Sequence, residues 1–292
     1  MKLSIILNIS NRANLFRYTA NSIVHYCDPA RLSETELLVV DENSQDGLGS
    51  ILENLKDVFG QIKIIRIDQK LSGLNIQCYN PVLGLNIGAL KAASNNLLFI
   101  QPETFFLKDN VSWAFDNCED GKVWLAETYS GSRNFRTNID QYMFFDGNNF
   151  IFHEPHKADK ETFVQNYVGK ADQNYPYVVA TTKRNMMDIG LLDVRYAEGW
   201  AGDDDDWLLR HRVVGHYIGV VDWMSCYHIN HNKHDENGIP INLDGSPLHL
   251  HNVALWKNAM ENLTRENVTD RFDYNTDVSS RCILSEEIIY GS

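Results

Sequence analysis

Glu36-Leu37-Leu38-Val39-Val40-Asp41-Glu42-Asn43-Ser44-Gln45-Asp46-Gly47 reads as a buried strand that ends in an acidic turn. Upstream, Leu3-Ser4-Ile5-Ile6-Leu7 is a second short apolar run, followed by Asn8-Ile9-Ser10-Asn11-Arg12 and a helical segment from Leu15 to Tyr26. Downstream, Ile51 to Phe59 reads as a helix and Lys63 to Ile67 as a third strand. Pro81 opens a further helix at a favoured first-turn position, and Val82, Leu85, Ala89 and Ala93 then recur at helical spacing. Leu97 to Ile100 is a fourth short strand. Strands alternating with helices predict an α/β fold with a mostly parallel central sheet and right-handed crossovers. Ligands in such sheets bind at the carboxyl ends of the strands. Asp41, Asp68 and Glu103 each follow an apolar strand, so the three are expected on one edge.

The chain has 292 residues, enough to bury a large core, and its 43% hydrophobic content is that of a globular protein. A net charge of −13 argues against nucleic acid or an anionic membrane as a partner. No apolar run reaches the roughly 18 residues of a transmembrane helix, and Asn8, Asn11 and Arg12 interrupt the first apolar run before it resembles a signal peptide. The cysteines Cys27, Cys78, Cys118, Cys226 and Cys282 are odd in number, widely spaced and without a CxxC pair. They read as reduced thiols, and the expected location is cytoplasmic.

The densest chemical signal lies in Gly199-Trp200-Ala201-Gly202-Asp203-Asp204-Asp205-Asp206. Four consecutive carboxylates repel one another unless cations, donors or a helix N-terminus offset the charge. A capping role for Asp203 and its neighbours at the start of Trp207-Leu208-Leu209-Arg210 would do so. The Trp and two glycines also suggest a turn that presents carboxylates beside an aromatic platform, an arrangement suited to sugars. A second cluster, Cys226-Tyr227-His228-Ile229-Asn230-His231-Asn232-Lys233-His234, carries three histidines at intervals of three and follows an apolar segment. HExxH, a Walker A loop and GxGxxG are all absent.

The acidic stretch resembles the Gly-Trp-Gly-Gly-Glu-Asp-Asp-Asp segment of GT-A glycosyltransferases of the galactosyltransferase-like and family-2-like kinds. Asp203 stands where that family usually has Glu, and Ala201 where it often has Gly. The N-terminal half resembles the same family in its opening strand, Asn-Arg turn and Val-Val-Asp-Asp-Gly-Ser-x-Asp-Gly segment. Asn86 lies in a stretch, Asn80 to Gly88, similar to the family's Asn-x-Gly. Gln101-Pro102-Glu103 stands at the place of its Asp-x-Asp metal motif, with Gln101 replacing the first acid. The four blocks follow the family's order from about Leu3 to His231.

The resemblance implies a GT-A fold, Rossmann-like, over residues 1–250, followed by a helical tail over 251–292. Within the domain, about 1–110 would form the nucleotide-sugar half and about 111–250 the acceptor half. Residues 134–173 would be a lid or acceptor-binding insertion. It implies nucleotide contacts from Ile9, Ser10, Arg12, Asp41, Asp68, Asn86 and Gln101. It implies acceptor contacts from Trp200, Gly202 and Asp203, with Asp204 as the catalytic base. A divalent cation, Mn2+ or Mg2+, would rest on Glu103 and a histidine, His228 or else His231. The expected reaction moves a sugar, with inversion, from a nucleotide-sugar of the uridine diphosphate kind to a hydroxyl of a glycan or other acceptor. The other two classes open to the sequence are a GT-A-shaped nucleotide- or glycan-binding protein that has lost catalysis and a metal-dependent hydrolase. Oligomeric state is not legible.

Overall fold

The computed structural model describes residues 1–130, 143–146, 149–152, 164–166, 176–229 and 245–291. The first half is built from β1 (Leu3–Ile9), α1 (Ala13–Tyr26), α2 (Pro29–Leu32), β2 (Thr35–Asp41), α3 (Leu48–Asn54), β3 (Gln61–Ile67), α4 (Val82–Lys91) and β4 (Asn96–Ile100). Next come β5 (Thr104–Phe106), α5 (Asn110–Asn117), β6 (Lys122–Ser130), β7 (Met143–Asp146), β8 (Asn149–Phe152), β9 (Val164–Asn166) and β10 (Val178–Thr182). The chain continues through α6 (Lys183–Asp188), α7 (Asp203–Val214), β11 (Tyr217–His228), α8 (Pro247–Asn262), α9 (Phe272–Arg281) and β12 (Ile283–Gly291).

The main sheet runs in the order β12-β3-β2-β1-β4-β10-β6-β11-β5, with β9 added beside β6. Strands β3, β2, β1 and β4 are mutually parallel, as the strand–helix alternation predicts. The second half is mixed: β10 lies antiparallel to both β4 and β6, whereas β11 is parallel to β6 and antiparallel to β5. Every residue of β1 and β2 is buried, because helices cover both faces of the sheet. Side chains alternate between two cores: Ile5, Leu7 and Ile9 join Phe16, Ile23 and Leu52 on one face, while Ile6, Leu38 and Val40 join Leu83 and Ile87 on the other.

Two boundaries differ from the sequence reading. The helix expected over 51–59 runs from Leu48 to Asn54, because Gly47 at φ +88° turns the chain into the helix early. The segment expected as a helical tail holds α9 and then β12, which pairs antiparallel with β3 and covers that edge of the sheet. No helix among the described residues is long and apolar enough to cross a membrane. All five cysteines are free thiols.

Candidate active site

The carboxyl ends of β1, β2 and β4 meet on one edge, as parallel pairing requires. Glu42 N–H donates to the Ile9 carbonyl at 2.9 Å, which ties the ends of β1 and β2 together. The turns after β1 and β2 are laced together. Asn11, at φ +48°, donates its N–H to Ser44 Oγ at 3.0 Å and accepts from Gln45 N–H at 2.9 Å. Asp46 accepts from Ala13 N–H at 2.6 Å, placing a carboxylate at the positive end of α1. The Ser10 hydroxyl reaches the Glu42 carbonyl at 3.5 Å.

Asp41 is buried at the end of β2. Its Oδ1 accepts from Ser44 N–H at 3.0 Å and its Oδ2 from Arg66 Nη1 at 3.0 Å. Arg66 is a member of this edge that the sequence reading passes over; its signal is an arginine inside an apolar strand, two residues before Asp68. Asp68 accepts from Lys70 N–H at 2.9 Å and so caps the short helical turn after β3. Glu42, also passed over, sits among Asp41, Asp68 and Tyr79. Its Oε2 is buried with no hydrogen-bond partner. Burial, then Asp68 and Asp41, pushes its carboxyl up to about 8.

Glu103 and His228 come together because β5 pairs with β11. His228 stands opposite Thr104, and Ile229 N–H donates to the Glu103 carbonyl at 2.7 Å. This brings His228 Nε2 to 3.9 Å from Glu103 Oε1. The Tyr177 ring packs on His228 with centroids 4.4 Å apart. Arg12 Nη1 lies 2.5 Å from the same Glu103 oxygen. Burial opposes the charge of Arg12, but Glu103 and Tyr79 raise its pKa overall. Gln101, at the end of β4, accepts from Thr104 N–H and Oγ1 through its carbonyl and so shapes the turn that carries Glu103.

As a metal centre, this pair offers one carboxylate and one imidazole. No cluster of three or more His, Cys, Asp or Glu suited to an ion occurs among the described residues. His231 lies outside them, as does most of 134–173. One carboxylate and one imidazole would fill only part of a divalent cation's shell, and phosphate oxygens of a bound ligand are a usual complement for hard divalent ions.

Asn86 is not on this edge. It is fully buried in α4, where it accepts from Leu192 N–H at 2.9 Å and donates to the Leu192 carbonyl at 2.9 Å. It clamps the core instead of facing a ligand.

The acidic stretch begins α7. Ala201 and Gly202 are both left-handed, at φ +61° and +81°; glycine adopts this conformation freely, whereas Ala201 takes it at the steric cost of its Cβ. Gly199 lies so close to α8 that an added Cβ would meet Asn252 Oδ1 at 2.2 Å. Asn252 donates to the Tyr196 carbonyl at 3.0 Å and the Ala201 carbonyl at 2.7 Å, while Trp200 N–H donates to the Leu248 carbonyl at 3.1 Å. Thus α8 holds the turn in shape, a role invisible in the sequence because Asn252 is distant and carries no motif.

The four acids differ. Asp203 is buried. Asp204, partly exposed, occupies the open first turn. Burial raises the Asp205 carboxyl, against Arg212. Asp206 is buried and paired with Arg210 Nε at 2.5 Å. Burial nonetheless raises its pKa, against Arg210.

One loop, Gly73–Pro81, joins the two halves. Cys78 Sγ donates to the Gly199 carbonyl at 3.3 Å, Asn80 donates to the Tyr196 carbonyl at 3.2 Å, and Glu198 accepts from Asn75 N–H at 2.9 Å. Tyr79 sits within electrostatic reach of Glu42, Arg12, Glu103 and Asp41, and its pKa is raised by burial first and Glu42 second.

Neither a protein-family model nor a characterised protein sequence matches the chain. Solved structures do. TarS of S. aureus in complex with UDP-GlcNAc aligns with a TM-score of 0.58 at 16% identity, over 94% of this chain and 72% of that one. GalNAc-T7 with UDP, GalNAc and Mn2+ aligns at 0.54 and 13%, over 96% of this chain but only 55% of that one. The mannosyltransferase PcManGT of Pyrobaculum calidifontis, with GDP-Man and Mn2+, aligns at 0.52 and 12%, over 96% and 73%. The chain therefore has the GT-A fold that these glycosyltransferases share.

Proposed function

We propose that the chain is an inverting glycosyltransferase that moves a sugar from a nucleotide-sugar, of the uridine diphosphate kind, to a hydroxyl of a glycan or other acceptor. One observation carries this reading. Cys78 Sγ donates to the Gly199 carbonyl beside the acidic stretch, and its neighbour Tyr79 lies within electrostatic reach of Glu42, Arg12, Glu103 and Asp41 at the strand edge, which supports reading the two regions as one site.

In this reading Asp41 and Arg66 hold the base or ribose, with Ile9, Ser10, Asp68 and Gln101 lining the edge. Arg12 lies where a diphosphate would approach. Glu103 and His228 would hold a divalent cation, Mn2+ or Mg2+, which when bound supplies positive charge to the departing diphosphate. Trp200 presents an aromatic face to the acceptor, and Gly202 with Asp203 shapes its seat. Asp204 accepts the proton of the attacking hydroxyl, which is a poor nucleophile until a base takes that proton. Attack from the face opposite the diphosphate inverts the anomeric centre.

The test is a screen of nucleotide-sugars by thermal shift, with and without Mn2+. A ligand at 100 times its Kd stabilises the native state by about 2.7 kcal/mol, so the true donor should stand out. If no nucleotide or nucleotide-sugar shifts the transition in either condition, the reading fails.

A further inference from the structure

Glu103 Oε1 is a shared atom. Arg12 Nη1 lies 2.5 Å from it and His228 Nε2 3.9 Å from it. The backbones that carry these partners are fixed. Arg12 stands directly before α1, where its carbonyl accepts from Leu15 N–H at 3.0 Å and from Phe16 N–H at 2.9 Å. Its side chain takes no part in capping the helix. The turn of Glu103 is held from two sides: Thr19 Oγ1 donates to the Pro102 carbonyl at 2.7 Å, and Ile229 N–H donates to the Glu103 carbonyl at 2.7 Å. A change of partner at Glu103 Oε1 is therefore a movement of side chains alone.

The two charged partners differ in access. The Glu103 side chain is 4% exposed and that of Arg12 is 27% exposed, so an anion arriving from solvent meets the guanidinium first. Their charges cancel. A histidine binds metal in its neutral form, so His228 adds none in that role. A divalent cation added to this pair alone would leave the pocket doubly positive, where burial weakens screening. The diphosphate of a nucleotide-sugar carries two negative charges. Cation and diphosphate together restore neutrality, and either alone does not. A guanidinium fork pairs with phosphate oxygens as readily as with a carboxylate.

We propose that Arg12 keeps the cation site closed until a diphosphate arrives. Without nucleotide, its guanidinium holds Glu103 Oε1. As a nucleotide enters with its cation, the guanidinium passes from Glu103 to the diphosphate, and Glu103 is released to the cation. Arg12 thereby positions the diphosphate and makes cation binding conditional on it. The inference rests on the cation reading given above and concerns the step before transfer.

Isothermal titration of the full chain with Mn2+ alone, and with UDP in the presence and absence of Mn2+, tests this in the parent, Arg12→Gln and Arg12→Lys. Both affinities are read without any transfer. Arg12→Gln should bind Mn2+ alone at least about 10-fold more tightly than the parent. It should bind UDP with Mn2+ at least about 10-fold less tightly, the worth of one charge-assisted hydrogen bond. The opposite signs are the signature, because general damage to the site weakens both. Arg12→Lys keeps a positive charge beside buried Glu103 and so protects the fold if Arg12→Gln does not. Its ammonium is more strongly hydrated and lacks the fork, so both affinities should move in the same directions by smaller factors. Mn2+ affinity that fails to rise in the folded variants, or UDP affinity that fails to fall, would overturn the proposal and leave the cation reading standing. If Mn2+ does not strengthen UDP binding by the parent, the cation reading itself fails, and the proposal with it.

Discussion

Glu103 Oε1 lies 3.9 Å from His228 Nε2, held there by the antiparallel pairing of β5 with β11 and not by any local motif. The same oxygen meets Arg12 at 2.5 Å, so a cation arriving at Glu103 competes with a guanidinium already in place. Metal binding should therefore be weak without nucleotide and tight with it, since the phosphates supply the missing ligands. Glu103→Ala and His228→Ala should each lower Mn2+-dependent nucleotide affinity at least about 10-fold, a loss seen even for outer partners of metal ligands. Titration with Mn2+ fixed and nucleotide varied gives the answer. Unchanged affinity in both variants removes the pair from the site.

The turn before α7 depends on the absence of a side chain at Gly199. A Cβ there would meet Asn252 Oδ1 at 2.2 Å and the Leu248 carbonyl at 2.7 Å. Gly199→Ala should destabilise the fold by about 1–3 kcal/mol, the usual cost of overpacking. In an Asn252→Ala background the same change should cost less, because one of the two obstacles is gone. Urea unfolding of the four proteins measures the coupling, and strictly additive losses would show that Asn252 does not press on Gly199.

The parallel half of the fold was legible because buried strands and helices leave different periods in the sequence, and β1 to β4 with α1 and α4 follow them closely. Asp41 and Glu103 were legible as residues that follow apolar strands. The rest depended on long-range contact. Asn86 reads like a binding residue in its motif, yet packing turns it to Leu192. Arg66, Glu42 and Asn252 earn their places from neighbours far along the chain. Strand β12 was hidden because Ile283–Gly291 mixes two glutamates with exposed apolar residues, the pattern of an edge strand and not of a core.

Glu42 gives the stability a dependence on alkaline pH. Its carboxyl ionises at about 8 in the fold, because of burial and then Asp68 and Asp41, against an ordinary 4.5. The native state thus keeps a proton that the unfolded chain has released. Stability from this group is full below pH 4.5 and is lost as pH rises through about 8. Glu42→Gln does not titrate, so its Tm should exceed that of the parent at pH 9 and converge with it near pH 4.5. Parallel Tm curves for the two proteins across that range would refute the assignment.

His211 works in the acid range. Trp207 Nε1–H donates to His211 Nε2 at 2.8 Å, which leaves the His211 proton on Nδ1, facing His216 Nδ1 at 2.9 Å. His216 Nε2 then points to Asp188 at 3.6 Å. Burial, with His216, holds His211 well below its usual pKa, so the native state keeps it neutral. Below about pH 6.5 the unfolded chain takes up a proton that the native chain refuses, and stability falls with pH. His211→Gln retains an acceptor for Trp207 and does not titrate. Its Tm should drop less than that of the parent between pH 7.5 and 5.5; an equal drop would place the acid sensitivity elsewhere.

The acids of the α7 turn should separate by role. Asp206, buried and paired with Arg210, is linked through it to Asp193. Asp206→Asn should therefore lower Tm by weakening the fold under the turn. Asp204 lies partly exposed in the first turn, two residues after the left-handed Gly202, and is the base in the proposed mechanism. Asp204→Asn keeps the shape and removes the basicity. Donor binding and Tm should stay close to the parental values, while transfer falls by about 10²–10⁴-fold, the usual worth of a general base. Single-turnover transfer separates this loss from slow product release. Transfer by Asp204→Asn at the parental rate would sink the mechanism even with the GT-A fold intact, and a loss confined to Asp205→Asn would move the base one residue along the helix.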